Sequence, residues 1–296
     1  MANHENKLVA GELQAVFSPG RGMLGVSLQH QGEELLRRLE DLESAATKGS
    51  TAGIPFLYPW ANRLASARYH AAGRDVTLDL SSPLLHCDQH DLPIHGVKWA
   101  LLPWDVIATG PNVLAARLDW TRPELLAVFP FRHKVEMTAT LHPDSLTIET
   151  TILADDLVPV SFGFHPYLGI PGLPRSEWRL KLPAMRRLVL DDRGIPIGKE
   201  ESFKRFDALL GDLSLDAGFI VLDERPKFSL LGGRHRLTVE FLKNYRYAQV
   251  FAPKDKDFVA LEPMTAPTSA LTSGRGLRVV ETGKEFQAAF RIGVES

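Results

Sequence analysis

The run FRHKVEMTATLHPDSLTIETTIL, residues 131–153, decides the fold class. Apolar and polar residues alternate along both of its halves, and the turn-forming tetrapeptide His142-Pro-Asp-Ser145 separates them. A period of two puts alternate side chains on opposite faces of a strand, so this stretch predicts a hairpin of two half-buried antiparallel strands. The same alternation recurs in LAARLDW (114–120) and RLTVEFL (236–242). Short strands of this kind, twenty prolines and no regular alternation of strands with helices predict an antiparallel all-β sandwich rather than a doubly wound sheet. Two segments are expected to depart from it. ELLRRLEDLESAATK (34–48) spaces Leu35, Leu36, Leu39 and Leu42 as a helix would, and SFKRFDALL (202–210) suits a short helix.

The 296 residues, 44% of them hydrophobic, suffice for a large core. With no repeat, low-complexity tract or long linker, residues 1–296 are expected to form a single domain. A formal net charge of -2 provides no basic field for a nucleic-acid partner. The chain lacks a basic-then-apolar leader and any run of eighteen apolar residues, so no membrane association is expected and the location is read as cytoplasmic. The single cysteine, Cys87, excludes an internal disulfide and fits a reducing compartment.

Two apparent motifs lose their meaning in context. GRGMLG (20–25) has the spacing of a dinucleotide-binding turn but is followed by the strand-like VSLQHQGEE instead of a helix. HCDQHDLPIH (86–95) gathers three histidines and a cysteine, yet Pro93 breaks any helix that would align them and no second cluster completes a zinc site. It reads as a loop with solvated histidines, and no metal is expected.

Four stretches set titratable side chains among aromatics and prolines: GIPFLYPWANRL (53–64), LPIHGVKW (92–99), SFGFHPYLGIPG (161–172) and VALEPMTAPTSAL (259–271). Glu262 follows an apolar run, and Pro263 behind it is expected to end the strand, leaving a carboxylate at the mouth of a core strand. Each residue has a plain structural reading: His165 as a core imidazole, His95 as a turn residue, Asn62 and Arg63 as a surface pair, Glu262 as half of an ion pair, and Trp60, Trp99 and Tyr167 as core aromatics. Together they offer an apolar floor with directional polar groups, the make-up of a sugar site.

In this order the four stretches resemble the aldose 1-epimerases, or galactose mutarotases. GIPFLYPWANRL is similar to that family's G-x-P-x-x-x-P-x-A-N-R segment, IHG to its His-Gly segment, FGFHPYL to its H-P-Y/F segment and LEPMTAPTSAL to its L-E-P-x-T segment. The resemblance implies an antiparallel β-supersandwich and interconversion of the α- and β-anomers of a free sugar without metal or organic cofactor. It further implies that Glu262 is the general base at the C1 hydroxyl, that His165 is the general acid at the ring oxygen, and that Arg63 and His95 hold sugar oxygens. Asn62, Trp60 and Tyr167 join the same binding surface. An aspartate on sugar hydroxyls is also implied; Asp216 in LSLDAGFIVL (213–222) is the better candidate and Asp223 the fallback. The chemistry is consistent with these roles. The reaction needs one acid and one base on opposite sides of the C1–O5 unit, and ordinary pKa values of about 6.5 and about 4.3 leave a histidine able to give a proton and a glutamate able to take one.

The match departs in one place: Val97 stands where galactose-specific members carry a second glycine after His-Gly, which leaves the sugar open. Arg68, Arg74 and Lys98 are the candidate cations for a hexose 6-phosphate. A glycoside hydrolase using Glu262 and Asp216, or a sensor that binds sugar without turnover, are the competing classes. Oligomeric state is not legible.

Overall fold

The computed structural model describes residues 5–38 and 51–295. Two large antiparallel sheets dominate. The order of the larger is Asp105–Thr109, Val113–Trp120, His133–His142, Ser145–Ala154, Glu285–Glu295, His235–Lys243, Lys227–Gly232, Arg179–Leu182 and Phe206–Leu209. The second runs Pro196–Phe203, Met185–Leu190, Leu215–Val221, Tyr247–Ala252, Val259–Met264, Gly163–Phe164 and Phe56–Leu57, with Tyr167–Leu168 also pairing on Val259–Met264. A four-stranded sheet formed by Asn6–Ala10, Leu13–Ser18, Leu24–His30 and Glu33–Glu34 completes the main framework of an antiparallel β-supersandwich.

The hairpin at 131–153 explains why the sheets stack. His133–His142 and Ser145–Ala154 pair through a two-residue turn, with His142 opposite Ser145. Along them Val135, Met137, Ala139 and Leu141, then Leu146, Ile148, Thr150 and Ile152, are all fully buried, while the residues alternating with them are partly exposed. The buried face packs into one continuous core containing Phe164, Phe219 and Leu261 of the second sheet. Fully burying one such side chain is worth about 1.5–3 kcal/mol, so repeated alternation holds the register.

Neither expected helix is present where it is described. Glu33–Glu34 is a strand and Leu36 bridges to Leu168, so the start of 34–48 is extended; 39–48 lies outside the described residues. Residues 202–210 fall in the strands Pro196–Phe203 and Phe206–Leu209. Along the second of these Phe206, Ala208 and Leu210 turn inward at a period of two, and pairing with Arg179–Leu182 outweighs the local helical preference. Pro263 does not end its strand either: Val259–Met264 continues through it, with Pro263 opposite Ala248. Among the described residues no helix is long and apolar enough to cross a membrane.

The alternation is testable. Ile148→Ala should lower unfolding stability by about 2–5 kcal/mol and Thr147→Ala, on the opposite face, by about 1 kcal/mol or less, as read from urea denaturation. Equal losses would mean that the two faces are not distinguished as described.

Candidate active site

The second sheet assembles the site by register. Gly163 pairs with Met264 and Tyr167 with Ala260 on the strand Val259–Met264, and continuing the same register sets His165 opposite Glu262. On its other side Glu262 pairs with Gln249, and Gln249 in turn with Gly218. One row across the sheet therefore reads His165, Glu262, Gln249, Gly218. The next reads Tyr167, Ala260, Phe251, Asp216. Side chains two residues apart share a face, so both rows project the same way.

His165 and Glu262 touch: Nε2 lies 3.2 Å from Oε1, with side chains only 7% and 2% exposed. Among the described residues, neither the other ring nitrogen of His165, Nδ1, nor the second oxygen of Glu262, Oε2, both buried, has a hydrogen-bond partner. Such atoms are uncommon in a folded protein and mark a place where a ligand can complete the bonding. The imidazole is held flat by Tyr167, whose ring stacks on it at 4.2 Å and 20°. Phe251 and His95 meet it edge-on at 6.1 and 5.9 Å. The backbone on either side is fixed too, since the His165 amide donates to the Pro55 carbonyl and that of Tyr167 to Gly53. A glycine is required two residues before His165, because a Cβ at Gly163 would lie 2.6 Å from Met264 Sδ and 2.8 Å from the Pro263 carbonyl.

Burial sets the charges. It pushes the Glu262 pKa well above the carboxylate range, with repulsion from Asp216 adding to it. It also pulls His165 down to about 3. Both effects oppose an ion pair and favour a protonated carboxyl against a neutral imidazole. This differs from the ionised glutamate and protonated histidine expected from ordinary pKa values. The two groups also lie side by side rather than across a gap.

Asn62 and Arg63 lie in the loop after the strand Phe56–Leu57 and His95 in the short strand Pro93–Val97, and the two segments interlock. Asn62 and His95 both adopt left-handed backbone, at φ 59° and 62°. The His95 amide donates to the Asn62 carbonyl at 3.0 Å, and the Asn62 amide donates to His95 Nδ1 at 3.2 Å. Accepting at Nδ1 leaves the proton of the neutral ring on Nε2. Burial, followed by the nearby charges of His165, Arg63 and His86, pushes the His95 pKa well below its usual value, so the ring remains a neutral donor. Gly96 allows the two segments to meet, since its φ is +69° and a Cβ there would fall 2.1 Å from the Tyr58 carbonyl oxygen. Asn62 Oδ1 accepts from the amide and Nη1 of Arg63, and Arg63 Nε donates to Asp88 at 2.6 Å.

Two depressions meet at Arg63. The larger, about 770 Å³, is lined by His95, Tyr167, Phe251 and Phe258 among others; the smaller, about 260 Å³, by Asn62, Asp216 and Gln249. Asp216 Oδ1 accepts from Gln249 Nε2 at 2.5 Å. Asp223 follows the far end of the strand Leu215–Val221, roughly 20 Å along the chain at 3.3 Å per residue, and the fallback is set aside.

Some expected residues are elsewhere. Trp60 is fully buried within the main core and cannot offer a face to a ligand; Trp99 packs with Leu24 and Val26. The aromatic floor is Tyr167, Phe251 and Phe258 instead. Arg74 donates to the Pro130 carbonyl and pairs with Asp156, and neither it nor Arg68 lines either depression. Lys98 lines neither depression and borders a small recess of about 30 Å³ beside His95. Asp88 and Gln249 were not anticipated. Asp88 lies within HCDQHDLPIH, which is a wall of the larger depression and not a purely solvated loop, since His86 and Cys87 line it as well. Gln249 is legible as the one polar residue in the run YAQVFA, facing the same way as Phe251.

A family profile described as aldose 1-epimerase matches residues 22–293. The chain belongs to the aldose 1-epimerase family. It is 23% identical over 254 residues, covering 80% of this chain and 77% of the relative, to the uncharacterized protein YihR of Escherichia coli K12. The Slr1438 protein of Synechocystis sp. PCC 6803 superimposes with a TM-score of 0.81 at 25% identity, covering 100% of this chain and 96% of that one. Galactose 1-epimerase from Lactobacillus acidophilus NCFM shares the fold at a TM-score of 0.79 and 17% identity, covering 98% and 94%.

The protonation of the contact can be tested through stability. A carboxyl whose pKa is raised in the folded state contributes stability below its unfolded pKa of about 4.3 and loses it as pH rises, because the unfolded chain then ionises more readily. Glu262→Gln should therefore melt several degrees higher than the wild type at pH 7.5, with the gap closing near pH 4. A variant less stable than wild type at pH 7.5 would show that the contact is an ion pair.

Proposed function

We propose that the protein is a mutarotase that interconverts the α- and β-anomers of a free aldose, with Glu262 and His165 as the proton-transferring pair. The contact between Glu262 Oε1 and His165 Nε2, buried and with an unpartnered polar atom on each group, carries this reading. O1 and O5 of an aldopyranose are bonded to the same carbon, so a base for one and an acid for the other must sit side by side. The imidazole and carboxyl do so.

The neutral pair and the ion pair contain the same number of protons and differ by one proton shift across the 3.2 Å contact. In the ion-pair tautomer Glu262 takes the proton of the C1 hydroxyl, the C1–O5 bond breaks and His165 protonates O5. The products are the open-chain aldehyde, a protonated Glu262 and a neutral His165. That is the form burial favours, so the protein environment supports the state in which the aldehyde is held. Rotation about C1–C2 turns the other carbonyl face toward O5; His165 removes the O5 proton, O5 attacks C1, and Glu262 returns a proton to O1. No net proton enters or leaves. Each transfer is worth roughly 10²–10⁴-fold.

In this reading the neutral His95 donates from Nε2 to a sugar oxygen, Arg63 and Asp216 bind hydroxyls, and Asn62 aims Arg63 and His95. Tyr167 acts mainly by fixing the His165 ring. Asp216 and Glu262 also form a carboxyl pair, the parts of a glycoside hydrolase, and the substrate distinguishes the two classes.

Polarimetry on freshly dissolved α-D-glucose and α-D-galactose tests the assignment. Accelerated mutarotation should fall by about 10²-fold or more in His165→Asn and in Glu262→Gln, while a methyl glycoside remains intact. Release of methanol from the glycoside would establish a hydrolase instead. Because the tautomers exchange without solvent protons, kcat should be flat between about pH 5 and 8. An inflection near pH 6.5 would mean that His165 titrates as an ordinary solvent-exposed imidazole.

A further inference from the structure

The sheet face that carries His165 and Glu262 extends past them. In the next row Met264 pairs with Tyr247, Tyr247 with Ile220 and Ile220 with Arg186. Met264, Tyr247 and Ile220 stand two residues from Glu262, Gln249 and Gly218, so they project to the same side. Tyr247 and Ile220, with Leu188, Ile195, Pro196 and Pro267, line a cavity of about 550 Å³ that the acid–base reading does not use. That volume is ordinary for a small-molecule site with an apolar lining. Thr268 lines both this cavity and the smaller of the two depressions at Arg63. Its neighbour Ser269 fixes the boundary: the Ser269 amide donates to the Arg63 carbonyl at 2.9 Å, and its Oγ accepts from the Ala65 amide at 3.0 Å.

Charge gives the occupant its chemistry. Lys199, Glu200 and Arg275 are the charged residues of the lining. Glu200 is already paired with Arg186 at 2.9 Å, whereas no carboxylate of the described residues lies within ion-pair distance of Lys199 or Arg275. Arg275 follows the short helix Ala270–Ser273, and its guanidinium occupies the space over Gly198, where a Cβ would collide with Nη1 and with the guanidinium carbon. Gly276 closes over the Tyr247 hydroxyl in the same way. A guanidinium set at the edge of an apolar cavity suits a ligand with a carboxylate at one end and an apolar body at the other. A doubly charged phosphoryl group would cost more to bring against that lining. We propose that this cavity binds a small organic acid, a carboxylate on an aromatic or branched aliphatic body, with Arg275 taking the carboxylate and Tyr247, Ile220 and Leu188 the body. The claim is independent of the roles proposed for His165 and Glu262.

Titration calorimetry at pH 7.5 with 3-phenylpropionate, its amide and acetate tests both halves of that ligand. 3-Phenylpropionate should bind about tenfold more tightly than acetate, which lacks the body, and about fivefold more tightly than the amide, which lacks the charge. Arg275→Gln should remove most of the preference for acid over amide and leave the amide's affinity unchanged, and added salt should erode the same preference in the wild type. Saturating glucose should not displace the acid. No saturable binding of 3-phenylpropionate, equal affinity for acid and amide, or a preference untouched by Arg275→Gln would each overturn the proposal. Competitive displacement by glucose would overturn it as well, because it would put the acid in the depressions around Arg63.

Discussion

The ladder formed by Val259–Met264 with the segments on either side of His165 is the constraint from which the rest of the site follows. Gly163 pairs with Met264 and Tyr167 with Ala260, and between those pairings the backbone has no freedom to put His165 anywhere but opposite Glu262. A slip of one residue would turn the imidazole to the other face and separate the two groups. The register is protected by what surrounds it: apolar alternation in the flanking strands, the close approach at Gly163, and the Tyr167 ring against the imidazole. The core hairpin at 131–153 contributes at a distance, by giving the second sheet an apolar face to pack against.

Burying two titratable side chains in contact is costly, and burial shifts both toward their neutral forms, which lowers that cost. Glu262 is pushed up and His165 down by the same loss of water. What would be a liability in a purely structural pair suits a reaction that moves one proton in and one out without net exchange. The neighbouring groups are anchored at one end, Arg63 through Nε to Asp88 and His95 through Nδ1 to Asn62, whereas among the described residues Nδ1 of His165 and Oε2 of Glu262 have no hydrogen-bond partner.

Much of this was legible in the sequence, for identifiable reasons. Period-two patterns announced the strands of the large sheet, and four separate motifs named His165, Glu262, Arg63, His95 and Asn62, which the fold brings together. Three things were hidden. The stretches 34–38 and 202–210 carry helical spacing, but bridge and ladder pairing with distant strands decides their conformation, and a linear pattern does not contain it. Trp60 looked like a sugar platform because it adjoins Asn62 and Arg63, yet alternation sends it into the core. Asp88 serves the site through a partner 25 residues away, so no local motif marks it, and Gln249, whose partner is 33 residues away, shows only as a polar residue in an apolar strand. The reversal of the expected charges had the same origin, since ordinary pKa values describe side chains in water.

If His165 and Glu262 act as one unit, as proposed, a double-mutant cycle will show it. Anomer exchange rates would be compared for wild type, His165→Asn, Glu262→Gln and the double variant at saturating sugar. Groups that work only as a pair lose their function together, so the double variant should be no slower than the worse single variant within about twofold. Losses that multiply would contradict the account, because they would mean that the imidazole and the carboxyl contribute independently.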